Sequence, residues 1–152
     1  MIHGDMAEKL FLEGYNCAQS VLCAFEDITG IERETAAKLA SSFGGGLGRM
    51  REVCGAVSGA SMVLGIVEGY YDPKAYDAKK AHYARVQEFA KRFKEHNGSI
   101  ICRELLSGTG AAEGSAPEKR SEQYYKKRPC AALCRQAADI LDEMFIQSRF
   151  KT

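Results

Sequence analysis

Apolar residues recur at helical spacing along most of this chain, and this periodicity constrains its fold more than any other feature. Segments with the alternating pattern of β-strands are scarce. We see no internal repeat and no domain linker, so the sequence predicts one all-α domain over residues 1–152, a single-domain bundle of about six to seven helices. The predicted helices cover roughly residues 5–13, 16–27, 32–42, 53–68, 73–96, 100–106 and the chain from residue 129.

Size and charge exclude several classes of partner. A chain of 152 residues can bury a sizeable core, and a formal net charge of +1 offers no field to attract nucleic acid or an anionic membrane. The first residues lack the basic start and the apolar core of a secretory signal. The longest uncharged run, Val53 to Val67, is too short to span a bilayer. We therefore expect a cytoplasmic protein without a nucleic-acid partner.

The six cysteines are the candidate functional residues. In a reducing compartment they should be free, metal-bound or redox-active rather than permanently disulfide-bonded. No two of them have C-x-x-C spacing, which argues against a thioredoxin-type dithiol, a zinc ribbon and covalent c-type haem. If the cysteines act together, the fold must therefore bring residues that are distant in sequence into one site.

Four cysteines are predicted at helix starts, where free amide groups and the helix dipole favour a thiolate. Arginines close in sequence to three of them should lower the thiol pKa further, with Arg49 and Arg51 before Cys54, Arg103 after Cys102 and Arg128 before Cys130. We expect Cys54 to be an exposed, reactive thiolate and Cys134, inside the last helix, to be a buried neutral thiol. Cys23 is also expected to pack, although Cys130 and Cys134, four residues apart, could instead form a ligand pair. The four cysteines at helix starts are Cys17, Cys54, Cys102 and Cys130, and the arginines are Arg49, Arg51, Arg103 and Arg128.

Glycines on both sides of Cys54 are candidate binding residues. The loop GGGLGRM could cradle an anion, but it matches neither a P-loop nor a dinucleotide-binding fingerprint, and a tight turn between close helices is favoured. Two further glycines, four residues apart, should form a flat strip for another helix, a small ligand or a second subunit. The candidate cofactor-binding residues are Gly45, Gly46, Arg49, Gly55 and Gly59.

Residues 107–128 have the composition of a loop. Their glycine, alanine and charged residues offer little to bury, although Tyr124 and Tyr125 could anchor the segment. We expect a mobile, peripheral loop outside the redox centre.

Four stretches of the sequence together resemble a known family. They are GYNCAQSVL, FGGGLGRMREVCGAVSG, NGSIICRELL and the RPC that precedes the last helix. In order and spacing they are similar to the redox-active proteins named for a C…CGAxxG…C…C pattern. The resemblance assigns that family's four cysteines to Cys17, Cys54, Cys102 and Cys130. It also implies an all-helical fold, a redox role and genes that commonly lie near transporter genes. The split-Soret cytochromes c look like haem-carrying relatives, but this chain lacks C-x-x-C-H, so covalent haem is not implied.

Two versions of a redox role stay open, in an oxidoreductase or an electron carrier. In one, the four thiols cycle between dithiol and disulfide, and in the other they hold an iron–sulfur cluster or a single metal ion. A different class of function is a non-catalytic module with a structural four-cysteine zinc site or a protein-interaction role. The redox partner is unknown from sequence, and a homo-oligomer is compatible with the glycine strip.

Overall fold

The computed structural model describes residues 1–149, which fold into nine α-helices and one 3₁₀ turn without any β-strand. The all-α prediction is confirmed, and residues 150–152, the end of the predicted domain, lie outside the described part of the chain. There are more helices than predicted because several short ones cap or join the long ones. They are α1 (Ile2–Leu12), α2 (Cys17–Ala24), α3 (Glu26–Thr29), α4 (Arg33–Ala40), the 3₁₀ turn Ser41–Phe43, α5 (Gly55–Glu68), α6 (Tyr76–Asn97), α7 (Cys102–Leu105), α8 (Glu122–Lys127) and α9 (Cys130–Arg149).

Two helix pairs organise the bundle. Helix α1 packs along α9, and α2 packs along α5, while α2 also contacts α1, α4 and α9. Burial of the apolar faces between these pairs supplies the main stabilisation of the fold. The largest fully buried side chains include Phe11, Phe25, Phe89, Phe93, Leu22, Leu64 and Leu141. Because α2 lies at the centre of these contacts, its first residue is held firmly in place.

Helices α2 and α5 approach each other through glycine. A Cβ atom built on Gly59 would lie 2.6 Å from the carbonyl oxygen of Ala18, and one on Gly55 would lie 2.9 Å from the carbonyl oxygen of Phe43. No side chain fits in either place. The predicted flat strip is therefore real, but it faces α2 of the same chain and is not available to a second subunit.

The start of α6 differs from the predicted start at residue 73. Asp72 accepts a hydrogen bond from the backbone N–H of Lys74 at 2.9 Å, which forms a turn, and the helix begins only at Tyr76. Tyr76 is 72% exposed, so it does not belong to the buried face. Phe89 and Phe93 are the buried residues of this helix.

None of the helices within residues 1–149 combines the length and the apolar character that crossing a membrane would require.

Candidate functional site

The four selected cysteines all lie at helix starts, as predicted. Cys17 is the first residue of α2, Cys102 of α7 and Cys130 of α9, and Cys54 directly precedes α5. All four line one cavity of about 490 Å³. The structure therefore brings together at one place four residues that are far apart in sequence.

Cys17 is positioned by a capping box. The side chain of Asn16 accepts a hydrogen bond from the backbone N–H of Gln19 at 2.8 Å, and the Gln19 side chain accepts one from the backbone N–H of Asn16 at 3.0 Å. A Cβ atom on Gly44 would lie within 2.8 Å of the Asn16 side chain. The glycine loop therefore packs directly against this cap and shares the cavity wall with Cys17.

The glycine loop is a tight turn in which several residues have left-handed backbone conformations. Gly45 and Gly46 have φ angles of 64° and 73°, and the non-glycine residues Leu47, Arg49 and Arg51 have φ angles of 70°, 63° and 62°. Positive φ angles in non-glycine residues are uncommon and cost free energy, so the surrounding contacts must hold them. The turn directs the side chains of both arginines into the cavity wall.

Cys54 and Cys102 are held next to each other by backbone pairing. The N–H of Cys54 donates to the carbonyl of Ile100 at 2.8 Å, and the N–H of Cys102 donates to the carbonyl of Glu52 at 2.6 Å. These bonds flank an isolated antiparallel β-bridge between residues 53 and 101. Both cysteines are one residue from the bridge, so they lie on the same side of the paired stretch.

Sulfur–sulfur contacts link Cys17 with two residues of α9. Its thiol lies close enough to the thiols of Cys130 and Cys134 for their interaction to shift its pKa, and the Cys134 sulfur donates to the carbonyl of Cys17 at 3.8 Å. Cys134, predicted to be a packing residue, is fully buried as expected but touches a site cysteine. Cys23 lies elsewhere and donates to the carbonyl of Arg33. All six cysteines are free thiols.

Interactions between thiols and burial together raise the pKa values of the cavity cysteines. Burial raises the pKa of Cys54 to about 12, more than the helix-start amides of Ala56 and Val57 can lower it. The expectation of an exposed Cys54 thiolate is therefore wrong, because neighbouring helices cover the sulfur. The interaction with the Cys17 thiol and burial raise the pKa of Cys130 far above its usual range.

Cys102 is the cysteine with a cation against its sulfur. Burial raises the pKa of Cys102, but a hydrogen bond from the Arg51 guanidinium at 3.7 Å opposes that rise. Arg51 was expected beside Cys54, and the turn carries it to Cys102 instead. Arg103 was expected to activate Cys102, yet its side chain contacts Glu52 and Glu113. Cys102 is thus the best candidate for a reactive thiolate.

Residues 107–128, named here the covering segment, close one side of the cavity. The carbonyls of Ala112 and Gly114 accept hydrogen bonds from Arg49, and Ala112 also accepts from Arg51. The segment contains α8, and further residues from it line the cavity: Ser115, Pro117, Glu118, Arg120, Tyr124 and Arg128. The segment is therefore not peripheral to the cavity, because it lines the cavity and supplies polar partners to its arginines. Tyr124 and Tyr125 anchor it against the core, as expected.

The candidate cofactor-binding glycines separate into two groups. Gly45, Gly46 and Gly55 line the cavity together with Arg49. A Cβ on Gly46 would lie 2.6 Å from the Cβ of Cys102, so this glycine allows the loop to approach the cysteine. Gly59 does not line the cavity and serves the contact of α5 with α2.

The arrangement of the cysteines bears on metal binding. A metal ion held by cysteine sulfurs needs several deprotonated side chains around one point. Within residues 1–149, no three His, Cys, Asp or Glu side chains are gathered closely enough to hold an ion.

Sequence reasoning missed two contributors to this site. Glu118 contacts three arginines of the cavity, and Arg120 donates to the carbonyls of Phe11 and Tyr15. Neither lies near a cysteine in sequence, and neither belongs to a motif. Their roles arise from tertiary contacts of a segment with loop composition, so no local sequence pattern predicts those roles.

Comparisons with known proteins give one match. A family model described as "Putative redox-active protein (C_GCAxxG_C_C)" matches residues 15–144, a range that contains all four cavity cysteines. The label writes Gly-Cys-Ala where this chain has Cys54-Gly55-Ala56, and the spacing to Gly59 agrees. No curated protein and no solved structure matches the chain.

Proposed function

This chain belongs to the C_GCAxxG_C_C family, and from that premise we propose that it is a redox protein whose cavity cysteines cycle between dithiol and disulfide. The contact between the thiols of Cys17 and Cys130 in a cavity shared with Cys54 and Cys102 carries the proposal. Cys17 and Cys130 form the disulfide that stores two electrons, and Cys102, beside Arg51, is the thiolate through which electrons enter and leave.

Exchange between these sulfurs balances without a cofactor. The Cys102 thiolate attacks an external disulfide, which forms a mixed disulfide and releases one thiolate that takes up a proton. Cys130 loses its proton and attacks the Cys102 sulfur, which expels the second external thiol. Cys17 then displaces Cys102 from Cys130, so the protein ends with a Cys17–Cys130 disulfide and an unchanged Cys102. Two electrons pass from the protein to the external disulfide.

A cytoplasmic location fits this proposal, because a reducing environment supplies partners that return the disulfide to the dithiol. The residues present do not favour a structural zinc site over this role.

A redox titration tests the proposal. Anaerobically purified protein is equilibrated in dithiothreitol buffers of decreasing reducing power, and free thiols are counted by mass after alkylation. We expect the count to fall reversibly from six to four per chain in one two-electron step. A constant count of six thiols would contradict the dithiol role. Iron with acid-labile sulfide in the purified protein would support the cluster version instead.

A further inference from the structure

The cavity carries a large excess of positive charge. Arg49, Arg51, Arg120 and Arg128 line it, and Glu118 is the one acidic residue among the described residues of its lining. The raised pKa values of Cys17, Cys54 and Cys130 mean that these three sulfurs add no negative charge. Even with the Cys102 sulfur counted as a thiolate, the cavity holds an excess of positive charge, which favours an anionic occupant.

Three of these arginines converge on a single oxygen atom. Guanidinium nitrogens of Arg128, Arg49 and Arg51 lie 2.5, 3.5 and 3.9 Å from the same carboxylate oxygen of Glu118. The side chains of Arg51 and Arg128 are only 7% and 4% exposed, whereas Glu118 is 36% exposed. Buried guanidinium groups require anionic or polar partners, and one carboxylate cannot neutralise three of them.

Arg120 differs from these three. It is satisfied by two backbone carbonyls, and its guanidinium lies 4.2 Å from the centre of the Phe11 ring. Arg49 and Arg51 also donate to carbonyls of the covering segment, so their positions do not depend on Glu118 alone. The point occupied by the Glu118 carboxylate would therefore persist as an anion site if that side chain moved outward.

We propose that this three-arginine cluster binds a carboxylate group of a small disulfide substrate, with Glu118 holding the same position in the free protein. The ligand is a low-molecular-weight disulfide bearing carboxylates, because the group that the cluster already accommodates is a carboxylate. Arg51 contacts both Glu118 and the sulfur of Cys102, so a carboxylate bound at the cluster places the attached disulfide near the attacking thiolate. This inference rests on the proposed redox function for its chemistry.

For such a substrate the reaction is the exchange described above. The carboxylate-bearing disulfide accepts two electrons and two protons and leaves as two thiols, while Cys17 and Cys130 become a disulfide. The arginine cluster takes no part in bond making and acts by binding and orientation.

Anion binding can be measured apart from redox chemistry with a ligand that lacks an S–S bond. In calorimetry with the reduced protein, we expect 3,3′-thiodipropionate to bind at least about tenfold more tightly than its neutral diamide. Binding of the dianion should weaken as salt is raised. Equal affinity for dianion and diamide in the unmodified protein would overturn the inference without any variant.

Variants separate a binding role from a structural one. Glu118→Gln should tighten binding of thiodipropionate several-fold because the internal competitor loses its charge, and Arg49→Gln should weaken it several-fold. Glu113→Gln is the matched control, since Glu113 lies in the same segment but pairs with the exposed Arg103. Weaker binding in Glu118→Gln would overturn the inference.

Reduction assays distinguish failure of this inference from failure of the redox proposal. The reduced protein should reduce 3,3′-dithiodipropionate faster than the neutral 2-hydroxyethyl disulfide. If both are reduced at equal rates, the anion site is wrong and the redox role stands. If thiodipropionate binds selectively but neither disulfide is reduced, the anion site stands and the redox role is wrong.

Discussion

The sulfur of Cys102 and the sulfur of Cys54 differ in what surrounds them. Cys102 accepts a hydrogen bond from Arg51, while Cys54 has only helix-start amides to oppose the effect of burial on its pKa. Four pH units below a pKa of about 12, the thiolate fraction is only about one in ten thousand. A helix start by itself therefore does not make Cys54 a thiolate, and the guanidinium contact makes Cys102 the better candidate for a reactive thiol.

Alkylation kinetics test this difference between the two thiols. In reduced, metal-free protein at pH 8, iodoacetamide should label Cys102 before Cys54, and Arg51→Gln should slow labelling of Cys102 by about tenfold. Labelling of Cys23, which lies away from the cavity, serves as the control and should keep its rate in the variant. Mass spectrometry of peptides gives each rate. Faster labelling of Cys54 than of Cys102 would show that the arginine contact is irrelevant.

Raised thiol pKa values also make stability depend on pH. The pKa of Cys54 is about 12 in the folded chain and near its ordinary value of about 9 when unfolded, so the folded state holds the proton more tightly. This contribution is fully present below pH 9 and is lost as pH rises from about 9 to about 12, at about 1.4 kcal/mol per pH unit.

Urea unfolding between pH 8 and pH 11 measures that contribution. The free energy of unfolding should fall as pH rises. In Cys54→Ala the slope of that fall should be smaller by the contribution of one proton, about 1.4 kcal/mol per pH unit, whatever the stability of the variant at pH 8. Parallel curves for the two proteins would mean that Cys54 titrates normally in the folded state.

At the scale of helices, the contact of α2 with α5 determines where two site cysteines lie. Cys17 begins α2, Cys54 precedes α5, and the close approach of the two backbones at Gly59 fixes the spacing between their N-terminal ends. Widening that contact would separate the cysteines as well as loosen the core.

Two glycines of α5 allow a matched comparison. Gly59→Ala should lower the free energy of unfolding by about 1–3 kcal/mol because its Cβ would meet the Ala18 carbonyl. Gly65→Ala, in the same helix with no atom within 4 Å of the added Cβ, should raise it by roughly 0.5–1 kcal/mol. Urea denaturation gives both values. A stabilising Gly59→Ala would show that the two helices do not pack through this glycine.

At the scale of the whole molecule, local patterns predicted the helices and the helix-start positions of four cysteines. Capping at Asn16 and the proline before Cys130 are short-range signals, so they are readable in sequence. The contact of Cys17 with Cys134 arises because α2 packs against α9, and no local sequence pattern predicts that packing. The position of the covering segment could not be predicted for the same reason, because Glu118 contacts its three arginines only once the fold has brought them together.

The central claim is that Cys17 and Cys130 form the redox disulfide, and peptide mapping of the oxidised protein tests it most directly. Reduced, metal-free protein is treated with one equivalent of an azodicarboxamide oxidant, the remaining thiols are blocked, and the digest is analysed by mass spectrometry. We predict a peptide pair joined through Cys17 and Cys130, retained in Cys23→Ser and lost in Cys130→Ser. A digest in which these two cysteines are both blocked as free thiols while the oxidant is consumed would contradict the account.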